Sequence, residues 1–200
     1  ITANFSVSCP AVPGGCDDWD RLAYVQIKNR DGNWIELFRY ITPYGKPCAH
    51  SIDVTDYESV LQGEVELRVF IDTWGTGGWK MNMALSYEAG TPEFAYTGIQ
   101  ELWHGTYNFG DYNNLQPMPT KTIQPPPGTQ EAAFRLVTTG HGWGQNNTGN
   151  AAEFYFATHH LQVNGENTFT QVMKKICNPN PDGCQPQSGT WQYDRAGWCP

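Results

Sequence analysis

The 200-residue chain has little charge and no long apolar run. Charged residues make up 16% of it, and 12 Lys and Arg stand against 20 Asp and Glu, for a net charge of −8. Phosphate recognition requires a basic surface, so nucleic acid and anionic membranes are poor partners. No apolar stretch approaches the roughly eighteen residues of a membrane span, so the sequence predicts no transmembrane helix. With neither an initiator Met nor a leader, we expect a mature chain or part of a longer one.

The sequence also lacks the paired cysteines of structural zinc sites. None of the six cysteines falls in a CxxC pair. Their even number favours disulfides in an oxidising compartment, and therefore a secreted or periplasmic protein. Cys9 lies near Cys16 and Cys177 lies near Cys199, but spacing alone leaves every pairing open. Six free thiols in a cytosolic protein are the alternative.

Short strands and tight turns dominate what is present. Glycine and proline supply 21 and 14 residues, and aromatic residues supply 14% of the chain. A helical turn is predicted only at 53–61. Strands without intervening helices indicate antiparallel sheets, and thus an all-β sandwich or jelly roll. Alternating apolar and polar side chains predict strands at 23–28, 64–71 and 79–88, and a turn after the first of these predicts a hairpin partner at 34–41. Further strands are expected at 132–139, 152–163 and 167–172.

A change in composition divides the chain into two parts. The motif Ala-Gly-Thr-Pro at 89–92 is typical of a linker, and residues 105–131 are rich in Asn, Gln, Pro and Gly. The second segment predicts a long exposed loop. We therefore expect one domain at 1–92 and another at 93–200.

Three acidic residues stand in settings that suit proton transfer. Asp20 follows a carboxylate cluster beside Cys16, Asp72 ends an alternating strand before a glycine-rich turn, and Glu153 lies among apolar residues. An apolar setting destabilises a charged carboxylate, which favours proton exchange. The alternative is that each is an ordinary acid at a strand end or turn.

The tryptophans suggest contact with sugars. Trp19, Trp74 and Trp198 lie in turn-like or polar segments, as do Trp143 and Trp191. Such rings offer apolar faces on which sugar rings stack, although they can equally fill a core. By contrast, two tryptophans within alternating strands are predicted to be core residues, namely Trp34 and Trp79.

The histidines give little support to a metal centre. His159 and His160 are adjacent on a predicted strand and point to opposite faces, so they do not share one ion easily. His141 with one of them could help to bind copper or zinc, but no tight ligand motif is present. We therefore predict neither metal nor cofactor.

Six runs of residues resemble the peptide-N-glycosidase F family. They occur in the family's order and span nearly the whole chain, which makes the resemblance specific. The runs are CDDWDR at 16–21, FRYITPY at 38–44, IDVTD at 52–56, AE at 152–153, TH at 158–159 and DRAGWCP at 194–200.

The resemblance implies a fold, an activity and a substrate. The family's fold is two packed antiparallel jelly rolls with the active site in the cleft between them. Too few strands precede residue 92 for a whole jelly roll, so the chain resembles a core segment lacking its first and last strands. The implied activity is hydrolysis of the amide that joins N-acetylglucosamine to asparagine, without a metal. The implied partner is an N-linked glycoprotein or glycopeptide substrate. We expect the protein itself to be a monomer.

The resemblance also assigns roles to individual residues. Asp20 matches the principal catalytic aspartate, as base or water-orienting group, and Glu153 matches a second essential carboxylate, as proton donor or water-mediated ligand. Asp72 matches a third acid of the family's catalytic set, in contact with the sugar. One of two arginines beside Asp20 would favour its ionised form. The implied substrate-binding residues are Arg21, Arg195, Trp19, Trp74 and Trp198.

Several positions depart from the family's pattern. Asp72 stands where the best-known member has glutamate, and Ala151 and Tyr155 stand where that member has a cysteine pair. Cys48 and Cys184 have no clear counterparts. The resemblance implies the bridges Cys9–Cys16 and Cys177–Cys199, which leaves Cys48 to pair with Cys184.

Two other functions are consistent with parts of the sequence. A glycan-binding protein without catalysis would use the tryptophans, but it would not require three acids. A copper monooxygenase shares a paired jelly-roll architecture, but it needs closely spaced histidines and methionines. Hydrolysis of a glycopeptide in the presence of a chelator distinguishes all three.

Overall fold

The computed structural model describes residues 1–109, 111, 113–142 and 151–200, and within them the chain is all-β with antiparallel sheets. This confirms the predicted fold class. Helical structure in the described part consists of a 3₁₀ turn at Thr55–Tyr57 and one turn of α-helix, α1, at Ala151–Phe154. The strands are β1 (Thr2–Ser8), β2 (Leu22–Lys28), β3 (Trp34–Ile41), β4 (Cys48–Asp53), β5 (Leu67–Ile71), β6 (Lys80–Ser86), β7 (Ala157–Val163) and β8 (Glu166–Met173).

Two three-stranded sheets form a sandwich in the first half of the chain. One has the order β4-β1-β6 and the other the order β3-β2-β5. Alternate side chains of β1 and β2 are buried, and they meet in one hydrophobic core. Phe5 of β1 stacks on Phe38 of β3 with ring centroids 4.9 Å apart. Within the second sheet, antiparallel pairing places the start of β2 beside the end of β5, with Ala23 opposite Ile71.

The β2–β3 hairpin is built as its sequence predicts. Asn29 and Asn33 close the turn through a backbone hydrogen bond of 2.8 Å, and Gly32 takes a positive φ of 82°. A side chain at residue 32 would be strained there, so glycine suits this turn. The pairing continues past the strand ends, because the Thr42 N–H donates to the Arg21 carbonyl at 2.9 Å. Asp20 therefore lies at the end of a well-anchored strand.

Strands were predicted correctly where apolar and polar residues alternate strongly. The prediction failed where a strand forms only if another strand lies beside it. The predicted strands at 23–28, 34–41, 64–71, 79–88 and 167–172 match β2, β3, β5, β6 and β8 with small changes at their ends. The predicted helical turn at 53–61 is the shorter 3₁₀ turn. β1 and β4 were not predicted, and with them residues 1–92 contain six strands.

Two strand predictions were wrong. Residues 132–139 form no strand. The Arg135 side chain in this segment instead bonds Asp56 and the Asp53 carbonyl in the first half of the chain, both at 3.0 Å. A strand needs a partner ladder as well as alternation. The predicted strand at 152–163 begins only at Ala157, and Glu153 lies in α1 instead. The described residues of 105–131 form neither helix nor strand, as expected of a long loop.

All six cysteines are bridged in the expected pairs. The bonds join Cys9 to Cys16, Cys177 to Cys199 and Cys48 to Cys184. The third spans a sequence separation of 136 and ties β4 to the loop that leads towards the C-terminal segment. This bridge connects the two halves of the chain covalently.

Two further predictions concern tryptophans and membrane spans. Trp79 packs against the core as predicted, but Trp34 does not belong to it. Trp34 is half-buried beneath Arg68, whose guanidinium carbon lies 4.3 Å from the ring centroid. The described residues contain no helix with the length and apolarity needed to cross a bilayer.

Candidate active site

Asp20 is held in a tight turn between a disulfide and β2. Cys16, bridged to Cys9, pairs with Gly78, and the Asp17 N–H donates to the Gly78 carbonyl at 3.2 Å. On the other side, the Arg21 N–H donates to Thr42 Oγ1 at 2.7 Å. The Asp20 carboxylate is only 12% exposed. The turn therefore fixes a nearly buried carboxylate at the end of the first sheet.

Arg195 is the centre of the candidate site. It is 1% exposed, and its backbone pairs with Lys175 through two hydrogen bonds of 2.8 and 2.9 Å. Its Nη1 donates to Asp20 Oδ2 at 2.9 Å and also to Glu153 Oε1. A buried guanidinium needs such carboxylate partners to offset its lost hydration. Arg195 therefore brings together two acids that are far apart in the sequence.

Glu153 lies on α1 against the segment that carries Arg195. Its carbonyl accepts the Ala196 N–H at 2.9 Å, and its carboxylate is 11% exposed. Burial raises the pKa of Glu153 to about 7, Arg195 opposes that rise and the Asp20 carboxylate adds to it. Because two carboxylates share one nitrogen of a single cation, one of them can hold a proton near neutral pH.

The second arginine of the predicted site has a different partner. Arg21 bonds Asp17 through Nε at 2.9 Å and donates to the Trp74 carbonyl at 3.2 Å. Its guanidinium carbon also lies 3.8 Å from the centroid of the Trp74 ring. Of the two arginines, Arg195 therefore contacts Asp20, whereas Arg21 holds the turn that carries Trp74.

Asp72 follows β5 at the end of the sheet where Asp20 precedes β2. The Asp72 N–H donates to the Leu22 carbonyl at 2.9 Å, and Leu22 follows Asp20 by two residues. Asp72 is exposed, so its carboxylate is accessible to a ligand. No described contact joins the Asp72 side chain to the Arg195 cluster.

The three predicted tryptophans occupy two kinds of environment. Trp19 and Trp74 are 60% and 65% exposed, an unusual state for the largest side chain. Trp198 instead packs against the core and lies edge-on to His50 with centroids 5.7 Å apart. Trp143 lies outside the described residues. Two open indole faces therefore flank the turn of Asp20 and the turn after Asp72.

Sequence reasoning missed the groups that hold the far side of Arg195. Tyr44 accepts a hydrogen bond from Arg195 Nη2 at 2.8 Å, and its hydroxyl also bonds Thr190 Oγ1 at 3.0 Å. The Phe154 ring centroid lies 4.6 Å from the guanidinium carbon. Tyr44 belongs to the run at 38–44 and could have been found there, whereas nothing marked Thr190.

One group of described side chains has the spacing of a metal site, and it lies apart from the carboxylates. Cys48, His50 and Cys184 place potential ligand atoms within 4.8 Å of one another. Both sulfurs belong to a disulfide, so they are not available as thiolates. His50 Nδ1 bonds Asp182 Oδ2 at 2.8 Å.

Family models match both halves of the chain. The model of the N-terminal part of peptide-N-glycosidase F matches residues 11–87, and the model of its C-terminal part matches residues 108–200. Peptide-N(4)-(N-acetyl-beta-D-glucosaminyl)asparagine amidase F of Elizabethkingia miricola is 36% identical over 201 residues. That alignment covers 92% of this chain and 56% of the relative, so this chain spans little more than half the relative's length.

Solved structures share the fold along the whole chain. The structure of PNGase F, a glycosylasparaginase from Flavobacterium meningosepticum, superposes with a TM-score of 0.71 at 31% identity. It covers 100% of this chain and 68% of that one. A structure of recombinant peptide:N-glycanase F has a TM-score of 0.63 at 28% identity, with the same coverage. The similarity therefore includes both halves and the segments that meet at Arg195.

Proposed function

This chain belongs to the peptide-N-glycosidase F family, and on that premise we propose that it is the core of an amidase acting on N-linked glycopeptides and glycoproteins. The observation that carries the proposal is Arg195 Nη1 bonded to both Asp20 and Glu153. Amide hydrolysis needs a base that activates water and an acid that protonates the leaving nitrogen, and two carboxylates held by one cation can serve as this pair.

The reaction begins with water. An amide is a poor electrophile with a poor leaving group, so it needs an activated nucleophile and a proton for the departing nitrogen. Asp20, hydrogen-bonded to Arg195, accepts a proton from water, and the water oxygen bonds to the side-chain carbonyl carbon of asparagine. Protonated Glu153 supplies the proton that leaves with the glycosyl nitrogen. The C–N bond breaks, asparagine becomes aspartate and the glycan departs as a glycosylamine.

The surrounding residues provide the binding surface. Trp19 and Trp74 present exposed indole faces, and exposed aromatic faces stack well on sugar rings. Asp72 offers an exposed carboxylate to the hydroxyl groups of the sugar, and Arg21 stacks on the Trp74 ring and holds it in place. We assign catalysis to Asp20 and Glu153 and substrate binding to this group, with Arg195 orienting the two acids and no metal in the reaction.

The proposal places the protein outside the cytosol and takes it to act as a monomer. Three bridged cysteine pairs support an oxidising compartment, because disulfides persist there and are rare in reducing ones. Secreted and periplasmic locations both satisfy this condition. Glycoproteins are also displayed in such compartments.

Product analysis in heavy-oxygen water tests the proposed reaction. The full-length protein is incubated with a glycopeptide and a chelator, and the peptide is then weighed by mass spectrometry. Hydrolysis of the amide places one heavy oxygen in the new aspartate side chain. Heavy oxygen in the sugar with an intact asparagine would indicate a glycosidase and contradict the proposal. An intact glycopeptide that binds would favour the glycan-binding alternative.

A further inference from the structure

A compact group of sulfur and nitrogen ligands lies where β4 meets the loop that leads towards the C-terminal segment. Cys48 and His50 are two residues apart on β4, and Cys184 comes from the loop. One ligand atom of each lies within 4.8 Å of the others. The ligand atoms of a tetrahedral zinc site are about 3.3–3.8 Å apart. These three residues, which we call the bridge site, therefore already have nearly the spacing that one metal ion requires.

His50 is arranged as the nitrogen ligand of the bridge site. Its side chain is 1% exposed, and its Nδ1 bonds Asp182 Oδ2 at 2.8 Å. Because a carboxylate accepts hydrogen bonds, Nδ1 carries the proton and Nε2 of the neutral ring keeps a lone pair. Among the described residues, that buried Nε2 has no hydrogen-bond partner. A carboxylate on one ring nitrogen and a free lone pair on the other are typical of histidines that bind metals.

Aromatic rings surround the imidazole and keep its environment apolar. Phe5 stacks on His50 with ring centroids 4.9 Å apart, and Trp198 lies edge-on to it at 5.7 Å. Phe5 belongs to the hydrophobic core, and Trp198 packs against that core. A buried polar atom without a partner is unfavourable in such surroundings. A metal ion bonded to Nε2 removes this unfavourable contribution.

The two sulfurs of the bridge site become metal ligands when their disulfide is reduced. A dithiol or phosphine reductant gives two electrons to the S–S bond, which takes up two protons and breaks into two thiols. The reductant becomes a disulfide or, with oxygen from water, a phosphine oxide. A divalent ion then displaces both thiol protons, and two thiolates balance its charge, which suits a buried site. Thiolate and imidazole ligands favour zinc over magnesium or calcium.

We infer that Cys48, His50 and Cys184 bind one zinc ion in the reduced chain, with water in the fourth position. The ion joins β4 to the same loop that the disulfide joins in the oxidised chain. Thr190 lies further along this loop and bonds the Tyr44 hydroxyl. Zinc therefore keeps the two halves of the chain connected when the disulfide is absent. The bridge site contains neither carboxylate of the candidate active site, so this inference does not depend on the proposed function.

Zinc binding by the reduced full-length protein tests the bridge site. The protein is reduced with a phosphine in the absence of oxygen, the phosphine is removed, and zinc is titrated. Cys48→Ser with Cys184→Ser is the decisive variant, because it removes two ligands and keeps the other four cysteines. We expect the reduced wild type to bind one zinc ion more per chain than the reduced variant, measured by elemental analysis after gel filtration. The oxidised wild type should bind none.

Single substitutions distinguish the three-ligand site from a pair of thiols. Asp182→Ala removes the carboxylate that orients the imidazole and should weaken zinc binding roughly ten- to a hundredfold. His50→Ala removes a ligand and should weaken zinc binding more than Asp182→Ala does. His160→Ala is the matched control, because His160 is an exposed histidine on β7, and it should leave zinc affinity unchanged. Asp182 is exposed, so its variant decides the question if His50→Ala does not fold.

Three results would overturn the bridge site. The first is equal zinc content of the reduced wild type and the double serine variant, which would place any zinc on the other cysteines. The second is unchanged affinity in Asp182→Ala and in folded His50→Ala, which would mean binding by two thiols alone. The third is zinc bound to a reduced wild type whose near-ultraviolet circular dichroism is that of an unfolded chain.

Discussion

At the scale of single residues, the arrangement of Asp20, Arg195 and Glu153 determines which group can hold a proton. One guanidinium nitrogen serves both carboxylates. Asp20 lies in the turn before β2, whereas Glu153 lies in α1, where burial raises its pKa to about 7. Different environments for two acids can separate their roles, and on this ground the proposed mechanism uses Asp20 as base and Glu153 as acid.

The first prediction concerns pH. Only protonated Glu153 can donate to the leaving nitrogen, and the protonated fraction falls as pH rises through about 7. We therefore expect kcat/KM to decline on the alkaline side of that value. Glu153→Gln should give a much lower rate without this alkaline limb. A rate that instead increases through pH 7 to a plateau would mean that Glu153 acts in its ionised form.

The same pKa affects stability with a definite sign. Because the folded-state pKa of Glu153 is raised above its ordinary value, the folded state binds a proton more tightly than the unfolded state. Its contribution to the free energy of unfolding is therefore complete below the unfolded pKa and is lost as pH rises through about 7. Melting temperatures of wild type and Glu153→Gln should converge below the ordinary pKa of 4.5, diverge as pH rises to about 7, and keep a constant difference above it.

The second prediction concerns Tyr44 as a positioning residue. Tyr44→Phe removes the hydroxyl that Arg195 Nη2 and Thr190 share, and it leaves the ring in place. Loss of one hydrogen bond to a charged group costs about 1.5–3 kcal/mol, and we expect kcat to fall roughly tenfold with a smaller change in KM.

Tyr40→Phe is the matched control for that change. Tyr40 is a fully buried tyrosine whose hydroxyl lies 3.6 Å from Met81 Sδ in the core, away from Arg195. Its replacement should leave kcat and the pH profile unchanged. If both variants lower kcat to the same degree, Tyr44 supports only the fold.

At the scale of secondary structure, the strands bring the segments that carry the candidate site residues to one end of the first-half sandwich. β2 begins where the antiparallel β5 ends, so Asp20 and Asp72 lie at the same end of the sheet. The hydrogen bond from Arg195 to Asp20 joins the C-terminal segment to that end. The disulfide between Cys48 and Cys184 joins β4 to the loop before that segment. Gln187 and Thr190 in the same stretch both bond Tyr44.

The third prediction concerns this bridge. Closing a long loop restricts the unfolded chain more than closing a short one, and native disulfides typically contribute about 2–5 kcal/mol. Cys48→Ser with Cys184→Ser removes a bridge across 136 residues, whereas Cys9→Ser with Cys16→Ser removes one across 7. We expect the first pair to lower the free energy of unfolding more, as measured by denaturant titration. A larger loss from the second pair would contradict this order.

The sequence predicted elements better than it predicted contacts between them. Val25 and Ile27 alternate with polar residues, and β2 forms where that pattern indicates. Residues 132–139 also carry apolar residues suited to a strand, but Arg135 binds the first half of the chain and the segment has no strand partner. Alternation indicates which side chains of a segment can be buried on one face. It does not indicate which other segment supplies the neighbouring strand.

The site was predictable from the family runs and not from physical patterns alone. Arg195 and Asp20 are separated by 175 positions, and no periodicity connects them. Both belong to runs that resemble the family, and so does Tyr44. Thr190 belongs to no such run, and its role follows from the folded loop around Gly189, where any Cβ would lie 2.6 Å from the Tyr44 ring.

At the scale of the whole molecule, the site exists only where the two halves of the chain meet. Asp20 comes from the first sandwich, whereas Glu153 and Arg195 come from the second half, and no one segment contains both acids. The exposed rings of Trp19 and Trp74 belong to the first half, next to the carboxylates. Catalysis should therefore depend on groups from both halves, and binding should depend more on the first.

Asp20→Asn in the full-length protein tests the central claim most directly. Asparagine keeps the size of the side chain, but it cannot accept a proton from water. A single-turnover rate measured beside an equilibrium affinity separates chemistry from binding, once melting curves show that the variant is folded. We predict a fall of at least about a hundredfold in the rate with little change in glycopeptide affinity. A near-normal rate, or a loss confined to affinity, would contradict the assignment of Asp20 as the base.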